Sequence, residues 1–330
     1  LKRVFKDLKG VDIQIPFPRM TYDEAMTRYG SDKPDTRFGF ELQDITDLVK
    51  ECEFKVFTDA IAAGGSVRGI CITDGAASYT RKKIDKLTES ARSYGAKGMV
   101  WIKPGDGEIA SSVNKFFSQE HLGEIVNRMG GKAGDLILIV SDKDKVVFDT
   151  LGFLRRHIAG ELGLLDDNRY ELLWVVDFPL FEYDEETDSY HAMHHPFTSP
   201  KEEDAHLLKT EPEKAKANAY DIILNGVELG GGSIRIHDRE MQEDMFRALK
   251  MSQEEIDEKF GFLVEAFKYG APPHGGLAYG LDRLVMLLTG EKSIREVIAF
   301  PKNQAAQCMV SEAPGIVDTE QLDELGIKLK

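Results

Sequence analysis

Cysteine is scarce in this chain of 330 residues, and the three present, Cys52, Cys71 and Cys308, stand far apart with no CxxC spacing. That pattern suggests neither a disulfide framework nor a zinc site, and a reducing cytoplasm is the expected setting. Long apolar runs are missing as well. None approaches the roughly 18 residues a membrane span needs, and no signal-peptide pattern is visible at Leu1. Positive charge is in deficit: 42 Lys and Arg against 57 Asp and Glu give a formal charge of −15. A chain basic all over is thereby excluded, whereas a local basic groove for RNA is not. No repeat or low-complexity run occurs. With 42% hydrophobic and 30% charged residues the chain reads as globular, long enough for one large or two ordinary domains.

Residues 1–10 have the texture of a helix met part-way, so we expect a piece of a longer polypeptide. Thr21 and Glu24 form a capping box opening a short helix that Gly30 stops. A polar loop, SDKPD (31–35), follows, in which Lys33 can touch a bound ligand or simply be solvated. From about residue 41 to 152 the texture alternates. A helical stretch (41–52) leads to FKVF and SVRGICITDG as strands. TRKKIDKLTESARSYG then reads as a helix, GMVWIKP as a strand, VNKFFSQEHLGEIVNRMG as a helix and DLILIVSD as a strand. Arg81, Lys82, Lys83 and Lys86 lie on the central helix, where they meet phosphate or form an ordinary solvated face. Residues 146–165 form an amphipathic helix. A strand ending at Asp177, an acidic turn and a second strand lead to His194 and His195, and 200–218 reads as an exposed, mobile polar segment.

Chemistry concentrates in two places. Asn225-Gly226 between apolar segments predicts a two-residue hairpin. It places Leu224 opposite Val227, Ile223 opposite Glu228, Ile222 opposite Leu229 and Asp221 opposite Gly230. Asp221 and Glu228 then project from the same face as diagonal neighbours, about 7 Å apart, able to hold a hydrated Mg²⁺ or to be the polar side of an edge hairpin. Arg235 follows Glu228 at an odd spacing, and Gly230, Gly231 and Gly232 are expected to supply the bulge that returns it to the Glu228 side. The second place is 270–290, a glycine-rich strand running into a helix. Leu281, Leu284, Val285 and Leu288 are its expected buried face, and Arg283 sits in its first turn. A cation there opposes the helix dipole unless something anionic is nearby.

GLAYGLDRLVMLLTG (276–290) resembles motif 3 of the class II aminoacyl-tRNA synthetases. With AMHHPFTSP (192–200) and NGVELGGGSIRIH (225–237), the chain is similar to the bacterial aspartyl branch of that family. The SDKPD loop resembles the matching loop there. The resemblance implies an α+β fold, an antiparallel sheet flanked by helices. It implies a truncated first part of the catalytic domain at 1–40, an inserted α/β domain of GAD type at 41–152, and the second part with motif 3 at 153–330. It further implies that His194 and Arg235 bind L-aspartate, that Glu228, Gly280, Leu281, Asp282 and Arg283 bind ATP, and that Asp221 and Glu228 hold Mg²⁺. The implied activity is an aspartate–tRNA ligase acting on tRNA(Asp), a homodimer at full length, with no side-chain nucleophile required. Motif 1, the motif 2 loop and an anticodon-binding OB-fold find no match, so the isolated chain is expected to be inactive. Asparaginyl or lysyl relatives and a non-catalytic tRNA-binding module stand as alternatives. Asp221, Glu228, Arg235 and Arg283 are expected to converge on one cleft.

Overall fold

The computed structural model describes residues 1–184 and 187–328. Glu185 and Glu186, in the expected acidic turn, lie outside the described residues. The chain forms two compact units, Ile13–Ala278 and a smaller one of Leu1–Asp12 with Tyr279–Lys330.

In the smaller unit, α1 (Lys2–Lys9) buries Phe5 and ends at Gly10, whose φ of 70° satisfies the left-handed cap. The larger unit opens with β1 (Arg19–Thr21) and α2 (Tyr22–Tyr29). Thr21 Oγ1 accepts the Glu24 amide at 3.1 Å as expected, but the Glu24 carboxylate pairs with Arg28. Gly30 ends α2 because only glycine fits: a Cβ there would lie 2.5 Å from the Phe148 carbonyl oxygen.

Residues 43–142 build a five-stranded sheet. In chain order it uses β2 (Gln43–Asp44), α3 (Thr46–Val49), α4 (Lys55–Ala62), β3 (Ser66–Ile72), α5 (Gly75–Ser78), α6 (Arg81–Ser93), β4 (Val100–Pro104), β5 (Ile109–Ser111), α7 (Gln119–Arg128) and β6 (Leu136–Asp142). The strand order is β2-β3-β6-β4-β5, antiparallel throughout. β6 sits centrally. Its alternate residues enter two cores: Leu136, Leu138 and Val140 pack with α6 and with α8 (Asp144–Glu161), while Ile137 and Ile139 pack with Phe57 of α4 and Leu122 and Ile125 of α7. Burial on both faces explains its unbroken apolar run, each large side chain contributing about 1.5–3 kcal/mol.

Two expectations need correction here. FKVF is not a strand. Phe54 caps α4 and Phe57 lies in its first turn, their rings 4.9 Å apart, so an i, i+3 pair mimicked alternation. The stretch 41–52 is mostly not helical either, since β2 takes Gln43 and Asp44.

After α8 come β7 (Leu172–Val176), β8 (Phe181–Asp184), β9 (Ser189–Ala192), β10 (Ala219–Leu224), β11 (Val227–Ile234), α9 (Arg239–Ala248), α10 (Gln253–Phe267) and β12 (Gly275–Tyr279). Their sheet runs β1-β7-β10-β11-β12. It is antiparallel at β7–β10–β11 and parallel at β1–β7. One face carries Val175, Ala219 and Ile223 into a core with Ala25, Phe178, Leu208 and Met245. Leu208, Ala215 and Ala217 are buried in it, so 200–218 is anchored rather than the exposed segment expected.

The smaller unit closes with α11 (Leu281–Thr289) and α12 (Thr319–Glu324). The expected apolar stripe of α11 is not buried: Leu281 is 69% exposed, and Leu284, Val285 and Leu288 are half-buried. Ile294, Phe300, Met309, Val310, Ile316 and Leu325 of the same unit are exposed as well, so its apolar side chains do not gather into a core around α11.

Candidate active site

The β10–β11 hairpin forms at Asn225-Gly226, with φ of 52° and 78°, the positive values a type I′ turn demands. Leu224 faces Val227 and Ile223 faces Glu228, as expected. The register then shifts. Leu229 is the extra residue of a bulge, so Ile222 faces Gly230 and Asp221 faces Gly231, not Gly230. Leu229 is completely buried, which accounts for the break falling there rather than at the glycines.

The consequence for the side chains survives the correction. Glu228 shares a side with Ile223, hence with Asp221 two residues away. Beyond the bulge Gly231, Ser233 and then Arg235 return to that side. Arg235 bridges Thr198, and its amide donates to the His274 carbonyl at 2.9 Å. Glycine is required at 231 and 232 for another reason. A Cβ at Gly231 would lie 2.1 Å from Asp221 Oδ1, and one at Gly232 would lie 1.8 Å from the Gly276 carbonyl oxygen.

The segment 192–200 crosses this end of the sheet. His194 Nε2 stands 3.8 Å from Asp221 Oδ2, and its ring meets Phe178 edge-on at 4.6 Å. The Asp221 carboxylate is nearly buried, its side chain 10% exposed. His195 accepts the Phe197 amide at Nδ1 at 3.2 Å. Burial, reinforced by the positive charge of Arg235, lowers the pKa of His195 below 6.5. His194, His195, Asp221 and Arg235 are thus brought into one neighbourhood, with Glu228 half-buried on the same side of the hairpin. Arg283, with Gly280, Leu281 and Asp282, belongs to the smaller unit, at the first turn of α11, where Gly280 is the N-cap.

Other expected contacts are local. Lys33 Nζ pairs with Asp32 at 3.0 Å. Arg81 pairs with Asp85 and lies over the Trp101 ring. The sequence reading missed a cavity of about 460 Å³ lined by Arg19, Trp174, Asp177, Lys201, Asn218 and Tyr220. Trp174 and Tyr220 project from the face opposite Asp221, and Asp177, with φ of 59°, pairs with Lys201. The only signal was Asp177 at a strand end.

Oxygen donors suit Mg²⁺, which commonly binds one or two carboxylates plus substrate phosphates. Asp221 and Glu228 on one side of a hairpin fit that pattern, and the missing Cβ at Gly231 leaves the Asp221 carboxylate its room. Among the described residues no group of three or more His, Cys, Asp or Glu gathers for a metal.

The chain carries a class II tRNA synthetase domain. Residues 1–304 match the family described as tRNA synthetases class II (D, K and N), and the chain belongs to it. It is 58% identical over 329 residues to the aspartate–tRNA(Asp/Asn) ligase of Caldanaerobacter subterraneus subsp. tengcongensis, covering 100% of this chain and 55% of that protein. To the aspartate–tRNA ligase of Macrococcus caseolyticus it is 56% identical over 329 residues, covering 100% of this chain and 56% of that protein. Among solved structures, the aspartyl tRNA synthetase of Entamoeba histolytica aligns with a TM-score of 0.32 at 24% identity, over 47% of this chain and 25% of that one. The chain spans about half the length of the curated relatives it matches.

Proposed function

We propose that this chain supplies the amino-acid-binding and metal-holding part of an aspartate–tRNA ligase. Such an enzyme joins the α-carboxylate of L-aspartate to the α-phosphate of ATP, releasing pyrophosphate, and passes the acyl group to the terminal ribose of tRNA(Asp). Arg235 is the fork for the substrate's side-chain carboxylate, a planar bidentate donor matched to it. His194, beside Asp221, borders the same substrate. Asp221 and Glu228 hold Mg²⁺, which when bound supplies positive charge to the ATP phosphates. Arg283, with Gly280, Leu281 and Asp282, binds ATP. Residues 41–152 are a GAD-type insert between the two catalytic portions 1–40 and 153–330. The full-length enzyme works as a cytoplasmic homodimer. Catalysis rests on positioning and charge neutralisation, without a covalent side-chain step.

The observation that supports this reading most is the placing of Arg235, Asp221 and His194 together by the β10–β11 hairpin and the segment 192–200 that crosses its end. The test is amino-acid-dependent exchange of pyrophosphate into ATP by a full-length enzyme bearing this sequence. Exchange driven by L-aspartate, and not by asparagine or lysine, is expected; exchange driven by either of the others overturns the assignment. Arg283→Ala should weaken ATP binding while leaving aspartate recognition intact.

A further inference from the structure

Helix α8 faces two ways. Leu151, Leu154 and Ile158 enter the core of the 43–142 sheet, whereas Arg155, one turn from Leu151, occupies a second buried environment and is only 2% exposed. No carboxylate lies within 4 Å of its guanidinium among the described residues. It donates to the backbone carbonyls of Gly39 at 2.8 Å and Asp35 at 3.1 Å, with longer contacts to Phe40 at 3.4 Å and Phe38 at 3.5 Å. The rings of Phe38 and Tyr29 lie 4.3 and 4.9 Å from it. Burial pulls its pKa down to about 10. Asp35 and Glu41 oppose this from a distance, but a cation kept dry without a directly paired carboxylate is costly, and an apolar side chain would fill the same volume. What only a guanidinium supplies is several donors in a rigid plane, here spent on arresting the backbone of 35–40.

That loop abuts the catalytic hairpin. A Cβ on Gly226 would lie 3.0 Å from the Asp35 Cβ, and Arg156, next to Arg155, donates to the Gly226 carbonyl at 3.0 Å. From the loop, Arg37 pairs with Asp35, and the Arg37 carbonyl accepts from Arg169 Nη1 at 3.0 Å. The Arg169 carbonyl in turn accepts from the Asn225 side-chain Nδ2 at 2.7 Å. Asn225 and Gly226 are the hairpin turn itself. The contacts therefore close a ring that leaves α8 at Arg155 and returns to it at Arg156. Glu228 begins two residues beyond that ring.

We propose that Arg155 is a positioning residue of the activation reaction: by fixing 35–40 against the Asn225-Gly226 turn, it sets where Asp221 and Glu228 present their carboxylates. The proposal rests on the ligase reading above for its kinetic consequence and on the ring alone for its structural one.

The two are tested separately. In a full-length enzyme, Arg155→Lys keeps the charge and loses the fork. We expect a folded protein whose KM for Mg·ATP rises about tenfold or more, misplacement on the ångström scale being enough for such losses, while the KM for aspartate moves less than about twofold. A lower Tm with both constants unchanged would make Arg155 merely structural and overturn the proposal. In the present chain, hydrogen exchange of Val227 and Glu228 should accelerate in Arg155→Lys while β3 and β6 stay protected. Unchanged exchange at 227 and 228 overturns it whatever the amino acid specificity of the enzyme. Failure of the wild-type enzyme to use aspartate removes the ligase reading and leaves the exchange result to decide the ring.

Discussion

A Cβ placed on Gly231 would sit 2.1 Å from Asp221 Oδ1, so the glycine and the acid occupy one another's space across the β10–β11 ladder. The obstructed atom ends a short rotatable side chain, so Gly231→Ala displaces the carboxylate more readily than the strand. We expect a stability loss of about 1–2 kcal/mol by denaturant titration, accompanied in the full-length enzyme by a disproportionate loss of Mg·ATP binding. Gly232→Ala instead meets the Gly276 carbonyl oxygen at 1.8 Å, and backbone cannot rotate aside. Its cost should reach about 3 kcal/mol, the upper end for overpacking. Wild-type Mg·ATP affinity in Gly231→Ala would contradict the proposed Mg²⁺-holding role of Asp221.

This hairpin also marks how far the sequence carries. Asn225-Gly226 announces the turn because few other residues accept two positive φ values, and the facing of Ile223 and Glu228 follows from it. The bulge was expected among the glycines, where backbone freedom is greatest. It falls at Leu229 because that side chain gains complete burial, a tertiary gain that no local rule contains. Arg155 was equally illegible. On an amphipathic helix an arginine beside Leu154 reads as solvated, and only the packed loop 35–40 reveals that it is buried.

His195 and Arg235 supply a titration. The folded state favours neutral His195, first through burial and then through Arg235. Below about 6.5 the unfolded chain therefore binds more protons, and this group's contribution to stability is lost as pH falls from 6.5 through its folded value. Arg235→Leu removes the second cause only. The His195 Hε1 resonance should titrate closer to 6.5 in the variant, and a curve identical to wild type would separate the two residues. In the full-length enzyme the same variant should abolish aspartate activation and leave ATP binding largely intact; equal loss of both would contradict the assigned role.

The cysteines differ in thiolate fraction although all three are partly exposed. Burial and then Asp135 push the Cys71 thiol up to about 12, and burial raises Cys52. Hydrogen bonds from Ser311 lower Cys308. Since the thiolate is the nucleophile, iodoacetamide near pH 8 should modify Cys308 first and leave Cys71 until denaturant is added. Peptide mapping of a time course decides it, and early labelling of Cys71 would show that its strand opens.

Asp35 and Arg37 form a buried fork, side chains 1% and 5% exposed, with Nη2 to Oδ2 at 2.8 Å and Nε to Oδ1 at 3.0 Å. Removing one partner strands the other charge away from water, so Arg37→Met should cost about 3–5 kcal/mol in urea denaturation. Asp167 also touches Arg37, at 3.2 Å, but its side chain is 83% exposed. Asp167→Ala should therefore cost less than about 1 kcal/mol, since an exposed charge is screened and gives up little on leaving. The double change Arg37→Met with Asp35→Leu leaves no stranded charge and should recover much of what the single change loses. Recovery is bounded, because Arg37 also donates to the Asp166 carbonyl at 3.1 Å and the Asp35 carboxylate accepts the residue 37 amide at 3.2 Å. A single-variant cost below about 1 kcal/mol would mean that water reaches Asp35, and the loop could not then be the rigid stop against which Gly226 packs.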